Sequence, residues 1–295
     1  MFLSKVTRRP SHEPRPLPPW SDTLIHDPLP TGAVAVALML GTGALLDIAV
    51  STPLLGAAFC GAALVYLADR TLGRSAEDRI NQPGRLAWAR RRRPWLWGEA
   101  VVLIVGLALT VPLLQVKTLV VATLLGGVGG LHVGPGLSGA GGPMAARLVK
   151  PIAVAAVWAV GAVVLPVLEA DASVSAAVVT LTGYRFLFVL PNVVLADWGD
   201  RAGDIAAGLR PWTEWATARG VRWTASGLLA LALAGAVGAS AVHPRPILLW
   251  IDAVGPLLML GAVWTADPTN PAHRLGLDLL VGWPAVTALV AWGLG

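Results

Sequence analysis

Nine long apolar windows constrain the fold of this chain more than any other feature. A helix of about 20 apolar residues crosses the ~30 Å hydrocarbon core of a bilayer. The composition, 55% hydrophobic and 13% charged, excludes an ordinary soluble domain. The pattern predicts an all-α, polytopic membrane protein with about nine transmembrane helices, although eight or ten also fit. The windows lie at about 32–50, 53–69, 96–115, 118–134, 148–168, 173–196, 221–242, 246–264 and 275–294.

Basic residues concentrate in alternate loops of this predicted topology. The N-terminal segment and the loops after the second and sixth windows are rich in arginine, Arg147 and Lys150 precede the fifth window, and Arg274 follows the eighth. The opposite loops hold only Lys117 and Arg245. By the positive-inside rule the N-terminus is cytoplasmic, and nine spans place the C-terminus outside. The net charge of +5 therefore indicates orientation and not nucleic-acid binding. A composition rich in Ala, Gly, Val and Arg favours a bacterial plasma membrane.

The chain divides into a tail and one membrane domain. Residues 1–30 are polar, basic and rich in proline, and they lack the apolar core of a signal peptide, so we predict a flexible cytoplasmic tail. Residues 31–295 form a single transmembrane domain. Its two longest cytoplasmic loops, about 66–95 and 192–220, follow the second and sixth spans. That spacing indicates two helical halves facing each other across a central cavity.

Three aspartates directly after the sixth window carry the strongest functional signal. Asp197, Asp200 and Asp204 are spaced to share one face of a helix. At an effective dielectric near 20, two carboxylates ~5–6 Å apart repel by roughly 3 kcal/mol, so such a cluster calls for a cation. Oxygen ligands suit Mg²⁺, which shares its coordination sphere with phosphate oxygens. Alternatively, Asp197 pairs with Arg201 at the i,i+4 spacing.

Other charged residues are placed to join this cluster. Asp69 ends the second window much as Asp197 ends the sixth, and Glu77 and Asp78 follow in the next loop. Both ends can therefore face a shared cavity. Arg185 lies inside the sixth window, about three turns before Asp197, where it faces either that cavity or a buried ionic partner.

A longer pattern follows from these positions. The second acidic segment has the form D-x-x-D-x-x-G-D with a glycine four residues on, carried by Asp197, Asp200, Gly203, Asp204 and Gly208. In these features the chain resembles the UbiA superfamily of intramembrane prenyltransferases over about residues 30–295. Further residues resemble that family, namely Asn192 before the motif and Arg147, Lys150, Pro151, Trp158 and Gly161 in the fifth span.

The first acidic motif departs from the family pattern N-D-x-x-D-x-x-x-D. Asp69 matches the middle acid, whereas Val65, Tyr66 and Gly73 stand at the other positions. Acids further along the loop replace the missing ones only if the loop bends back. The resemblance implies two acidic motifs that together hold metal ions. In this chain the second motif is complete and the first is not.

The resemblance implies a Mg²⁺-dependent enzyme that ionises a prenyl diphosphate and transfers the prenyl group to an aromatic or other lipophilic acceptor. It implies two kinds of site residue. The implied catalytic and metal-binding residues are Asp69, Asp197, Asp200 and Asp204, with Glu77 and Asp78 as further metal ligands. The implied substrate-binding residues are Arg70, Arg147, Lys150, Asn192, Arg201 and Arg185.

Three alternatives stay open from the sequence. A terpene cyclase on the same scaffold would use the same ionisation and quench the cation internally. A UbiA-like protein that binds lipid or a partner without catalysis would explain the incomplete first motif. A transporter is disfavoured, because the acids cluster at one membrane face and not near the midplane.

Overall fold

The computed structural model describes residues 19–72, 76–133, 144–208 and 211–294. Every regular element in these ranges is helical, with short 3₁₀ turns at Val111–Leu113 and Trp212–Glu214. The helices are α1 (Pro19–His26), α2 (Leu29–Leu46), α3 (Thr52–Leu72), α4 (Ala76–Asn81), α5 (Pro83–Arg91), α6 (Arg93–Thr110), α7 (Val116–Val133), α8 (Met144–Glu169), α9 (Ala176–Ala206), α10 (Ala218–Ser240), α11 (Pro246–Thr265), α12 (Pro271–Val281) and α13 (Pro284–Gly293).

Each apolar window of the sequence corresponds to helical structure. Among the described residues, eight stretches have the length and composition to cross a membrane, and a shorter apolar stretch, Val116–Gly129, coincides with the fourth window. The ninth window is divided between α12 and α13. Pro284 lacks a backbone N–H donor and starts the second of these helices, which explains the break. The all-α, polytopic prediction with about nine spans is confirmed.

The helices form a ring. Going around it, α2 packs on α3, α3 on α6 and α7, α7 on α8, α8 on α9, α9 on α10, α10 on α11, α11 on α13, and α13 on α2. Close approach of α2 and α13 requires Gly41, because a Cβ there would lie 2.3 Å from the Cβ of Pro284. Large apolar side chains of α6, including Val101, Val102 and Ile104, are exposed on the outside of the ring, as expected of lipid-facing residues.

A buried ion pair joins three helices inside the ring. Arg185 of α9 donates to both carboxylate oxygens of Asp252 of α11, at 2.7 and 3.0 Å, and both side chains are completely buried. Thr287 of α13 donates a further hydrogen bond of 2.9 Å to Asp252. The assignment of Arg185 to substrate binding is therefore corrected, since two of its nitrogens are committed to Asp252. Arg185 instead has a buried ionic partner, which is the other arrangement expected for it.

The start of the described chain is helical, in contrast to the flexible tail predicted for residues 1–30. Helix α1 lies against α5, and residues 1–18 are outside the described ranges. Arg91 and Arg92 donate hydrogen bonds to Asp22 and Thr23, at 3.4 and 3.3 Å. These tertiary contacts stabilise a segment whose composition alone indicates disorder.

One end of the bundle collects most of its polar side chains. Helix α9 has 31 residues, which corresponds to a length of roughly 46 Å and exceeds the ~30 Å thickness of a hydrocarbon core. Its last turns meet α4 and α12, and α4 in turn meets α5. We refer to this region, where α3 and α9 end and α12 begins, as the acidic end.

We expect Asp252→Ala to destabilise the fold strongly, because it leaves the Arg185 guanidinium buried without a counter-charge. Breaking a buried pair in this way costs about 3–5 kcal/mol. The measurement is the free energy of unfolding in detergent by denaturant titration. Asp47→Ala is the matched control, because Asp47 pairs with Arg245 at the exposed opposite end of the bundle, and such pairs contribute at most about 1 kcal/mol. Equal losses in the two variants would contradict a structural role for the buried pair.

Candidate active site

The three aspartates of α9 lie on one helix, but each meets a different partner. Asp197 accepts a hydrogen bond of 2.9 Å from the Trp212 indole, and Lys150 interacts with it electrostatically. Asp200 accepts a charged hydrogen bond of 2.8 Å from Arg274 at the start of α12. The carboxylates therefore face partners on α8, α12 and the turn after α9.

Asn81, the last residue of α4, binds the backbone of α9. Its amide nitrogen donates to the carbonyl oxygen of Asp200 at 2.7 Å, and its amide oxygen accepts from the backbone nitrogen of Gly203 at 2.8 Å. A Cβ on Gly203 would lie 2.2 Å from that amide oxygen, so only glycine permits this approach. Asn81 also donates to Asp204, and Gln82 to Asp200, each at 3.4 Å.

Arg85 of α5 bridges two carboxylates from separate helices. It donates to Asp69 at the end of α3, at 3.2 Å, and to Asp78 of α4, at 2.8 Å. The Arg85 side chain is only 17% exposed. Its Nε is buried and has no hydrogen-bond partner among the described residues. Asp78 thus lies close to Asp69, as a replacement metal ligand would need to, but Arg85 pairs with both carboxylates.

A second polar group lies deeper, between α2, α3, α9 and α12. Asn192 donates to Asp278 at 2.7 Å, and Arg70 interacts electrostatically with Asp278 and donates to the backbone oxygen of His26. Burial lowers the pKa of the His26 imidazole below its usual value, so the ring is neutral near pH 7 beside this arginine. The Tyr66 ring packs edge-on against Trp158, with centroids 6.3 Å apart.

A small cavity separates this polar group from the apolar interior. Its volume is about 40 Å³, which is enough for one or two water molecules and not for a prenyl chain. The polar part of its lining consists of Thr31, Tyr66, Trp158, Asn192 and Asp278, and the apolar part of Val34, Val189, Val193 and Val281.

Three of the predicted site residues are placed differently or fall outside the described atoms. Arg201 donates to the backbone oxygens of Thr213 and Glu214, at 2.8 and 3.0 Å, and packs over Trp198. It therefore holds the turn after α9 and does not pair with the Asp197 carboxylate four residues before it. The side chains of Glu77 and Arg147 are outside the described part of the structure.

Comparison with known proteins gives matches by structure but none by sequence. No protein-family model and no curated protein matches the sequence. A UbiA homolog from Archaeoglobus fulgidus bound to DMAPP and Mg²⁺ matches with a TM-score of 0.62 and 12% identity over 92% of this chain and 100% of that chain. The apo UbiA homolog from Aeropyrum pernix K1 matches with a TM-score of 0.60 and 14% identity, over 87% and 98% respectively. A structure of digeranylgeranylglyceryl phosphate synthase gives 0.54 and 13%, over 93% and 98%.

The chain has the UbiA fold. The resemblance expected from the sequence is confirmed at the level of the fold, across nearly the whole length of each matched structure. With eight apolar helical stretches of spanning length in the described part of its structure, the chain is an integral membrane protein.

The side chains at the acidic end do not fit the Mg²⁺ seen with a protein of the UbiA fold. Among the described residues, no three aspartate, glutamate, histidine or cysteine side chains form a group that could hold a metal ion. Instead, Asp69 and Asp78 share the guanidinium of Arg85, and Asp200 binds that of Arg274. Carboxylates that already pair with guanidinium groups are weaker ligands for a divalent ion, because part of their negative charge is compensated. The metal site predicted from Asp69, Glu77, Asp78, Asp197, Asp200 and Asp204 is not assembled by the residues described here.

Several residues that shape the acidic end were absent from the predicted site. Asn81 and Arg274 give no sequence signal of their own, because their partners are more than 70 residues away along the chain. Gly199 and Gly203 do give one: both lie within the acidic motif, where a helix otherwise disfavours glycine. A Cβ on Gly199 would lie 2.4 Å from a terminal nitrogen of Arg274, which explains its presence.

We expect Gly203→Ala to detach α4 from α9, because the new methyl group takes the position of the Asn81 amide. Two hydrogen bonds of about 0.5–1.5 kcal/mol each are lost, so amide hydrogen exchange over residues 76–91 should accelerate by about tenfold or more. Hydrogen–deuterium exchange with mass spectrometry measures this rate.

Gly227→Ala is the control for this variant. Gly227 lies on the exposed side of α10, and no atom lies within 4 Å of its added Cβ. Its exchange over residues 76–91 should equal that of the parent protein. Unchanged exchange in Gly203→Ala would show that the contact between Asn81 and Gly203 does not hold α4 in place.

Proposed function

We propose that this chain is an intramembrane prenyltransferase, which binds a prenyl diphosphate at the acidic end and transfers the prenyl group to an aromatic or other lipophilic acceptor. The observation that carries the proposal is a cluster of cationic and acidic side chains at one end of a ring whose interior is mostly apolar. A prenyl diphosphate combines an anionic head with an apolar tail and needs both environments. UbiA homologs of the same fold, with DMAPP or GPP and Mg²⁺ bound, add support.

Four cations around the cluster are suited to the diphosphate head. Arg70 and Arg85 approach it from α3 and α5, Lys150 from α8, and Arg274 from α12. Guanidinium groups bind phosphate oxygens with paired, charge-assisted hydrogen bonds. In this proposal the acids Asp69, Asp78 and Asp200 orient these cations.

The tail of the substrate lies along the valine side chains that line the cavity. They come from α2, α9 and α12, so a tail in this position contacts three helices. Because the cavity is much smaller than a prenyl chain, these helices must separate when the substrate enters. Binding is therefore coupled to a change in the packing of the ring.

The reaction breaks the bond between the allylic carbon and the diphosphate oxygen. The electron pair stays on that oxygen, and the surrounding cations stabilise the charge that develops there. Tyr66 and Trp158 both line the small cavity, and in this proposal their rings stabilise the allylic cation. An electron pair of the acceptor forms the new bond to this carbon, and the acceptor then releases a proton. Exclusion of water protects the cation from hydrolysis.

We expect purified protein in lipid nanodiscs to release diphosphate from geranyl diphosphate and to form a prenylated product with members of an acceptor panel. Asp200→Asn should lower the rate by about 10- to 100-fold, because Arg274 loses its charged partner and its position. Asp47→Asn, at the opposite end of the bundle, should retain the parent rate. If no donor is bound or turned over under any condition, the prenyltransferase proposal is wrong.

A binding protein without turnover is the second candidate. It is favoured by the pairing of three acidic side chains with arginines, which leaves a site that is neutralised before any substrate arrives. Tight binding of geranyl diphosphate with no product from any acceptor would select this function. A hydrocarbon or alcohol formed from the donor alone would instead identify a cyclase.

A further inference from the structure

We infer that Arg85 and Arg274 take the place of divalent ions at the acidic end, so that a diphosphate head binds to this protein without Mg²⁺. This inference rests on the proposed function, because it concerns the same head group. It begins from the disagreement between the Mg²⁺ bound by a protein of this fold and the side chains present here.

Arg85 has the geometry of a bridging cation. Its two terminal nitrogens bind Asp69 and Asp78, which come from α3 and α4 and would otherwise repel each other. Joining carboxylates from separate helices is what a shared divalent ion does in a metal site. A divalent ion that bound these same oxygens would have to displace a guanidinium of the same sign of charge. The Arg85 guanidinium is part of the chain, so it is favoured over a free divalent ion for these two carboxylates.

Arg274 of α12 pairs with a single carboxylate of α9. One terminal nitrogen binds Asp200 at 2.8 Å, while its Nε donates to the backbone oxygen of Pro268, which holds the side chain in place. Gly199 makes the space for this guanidinium, since a Cβ there would meet it at 2.4 Å. The backbone of the acidic motif is thus shaped around an arginine.

These arginines retain capacity to bind a ligand. A guanidinium has five N–H donors, and Arg85 uses two of its nitrogens on carboxylates. Its buried Nε has no partner among the residues described by the structure. An oxygen of a bound diphosphate would satisfy that donor, with Arg70 and Lys150 contributing charge from the neighbouring helices.

The test uses the full chain in nanodiscs of phosphatidylcholine, with geranyl diphosphate as the probe and isothermal titration calorimetry as the readout. Binding is measured in EDTA and in excess MgCl₂. We expect the same Kd in both buffers within about twofold, because the cations are part of the chain. Binding only with Mg²⁺ would overturn this inference and leave the proposed function intact. Binding in neither buffer would overturn the proposed function and the inference together.

Arg85→Gln sharpens the test. In EDTA it should weaken binding by about tenfold or more, since a charge-assisted hydrogen bond is lost. Adding Mg²⁺ should recover part of the affinity, because Asp69 and Asp78 are then available to an ion. Arg219→Gln is the matched control, an exposed arginine in the first turn of α10, and its Kd should equal that of the parent chain in both buffers. An Arg85→Gln affinity equal to the parent value in EDTA would overturn the role of Arg85.

The folded state of each variant is checked by size-exclusion chromatography and thermal unfolding before titration. The comparison of the parent chain in the two buffers needs no variant, so it decides the inference even if Arg85→Gln fails to fold.

Discussion

Helix α9 has to satisfy two environments, and the rest of the structure is arranged around that constraint. Its apolar part carries Arg185, whose buried charge is compensated by Asp252 of α11, and Thr287 of α13 donates a further hydrogen bond to that carboxylate. Its final turns carry the acidic motif beyond the apolar ring. The buried pair holds α9 against two helices in the ring, and so it sets where the acidic motif emerges.

Partners of the acidic motif come from the α4–α5 segment, α8 and α12. Asn81 and Gln82 approach from the α4–α5 segment, Arg274 from α12 and Lys150 from α8. Repulsion between neighbouring carboxylates is relieved by these partners. The two glycines of the motif allow them to approach, because a side chain at either position would collide with a partner. The glycines of the motif therefore allow neighbouring helices to contact α9, in addition to the charges that its aspartates supply.

This arrangement bears on how a UbiA fold can diverge. Arginines that take the place of metal ions keep an anion-binding cluster at the same position in the fold. Oxygen atoms that coordinate a metal are then not needed. Arg85 and Arg274 are partly shielded from solvent, at 17% and 18% exposure, so their interactions are screened less than those of surface pairs. A head group could then be recognised by the same fold through a different cation. Tyr66, where the family pattern has an acid, is consistent with that change.

The sequence by itself determined the number and approximate limits of the apolar helices, the two loops that carry the acids, and the placement of Asp197, Asp200 and Asp204 on one helix. These features are local, because apolar length and residue spacing decide them. Only the tertiary structure decided that Arg185 pairs with Asp252, that Asn81 inserts against α9 and that Arg274 meets Asp200. Such partners lie 67 to 119 residues apart in the chain. Which helices become neighbours depends on the packing of the whole ring, and no local pattern records it.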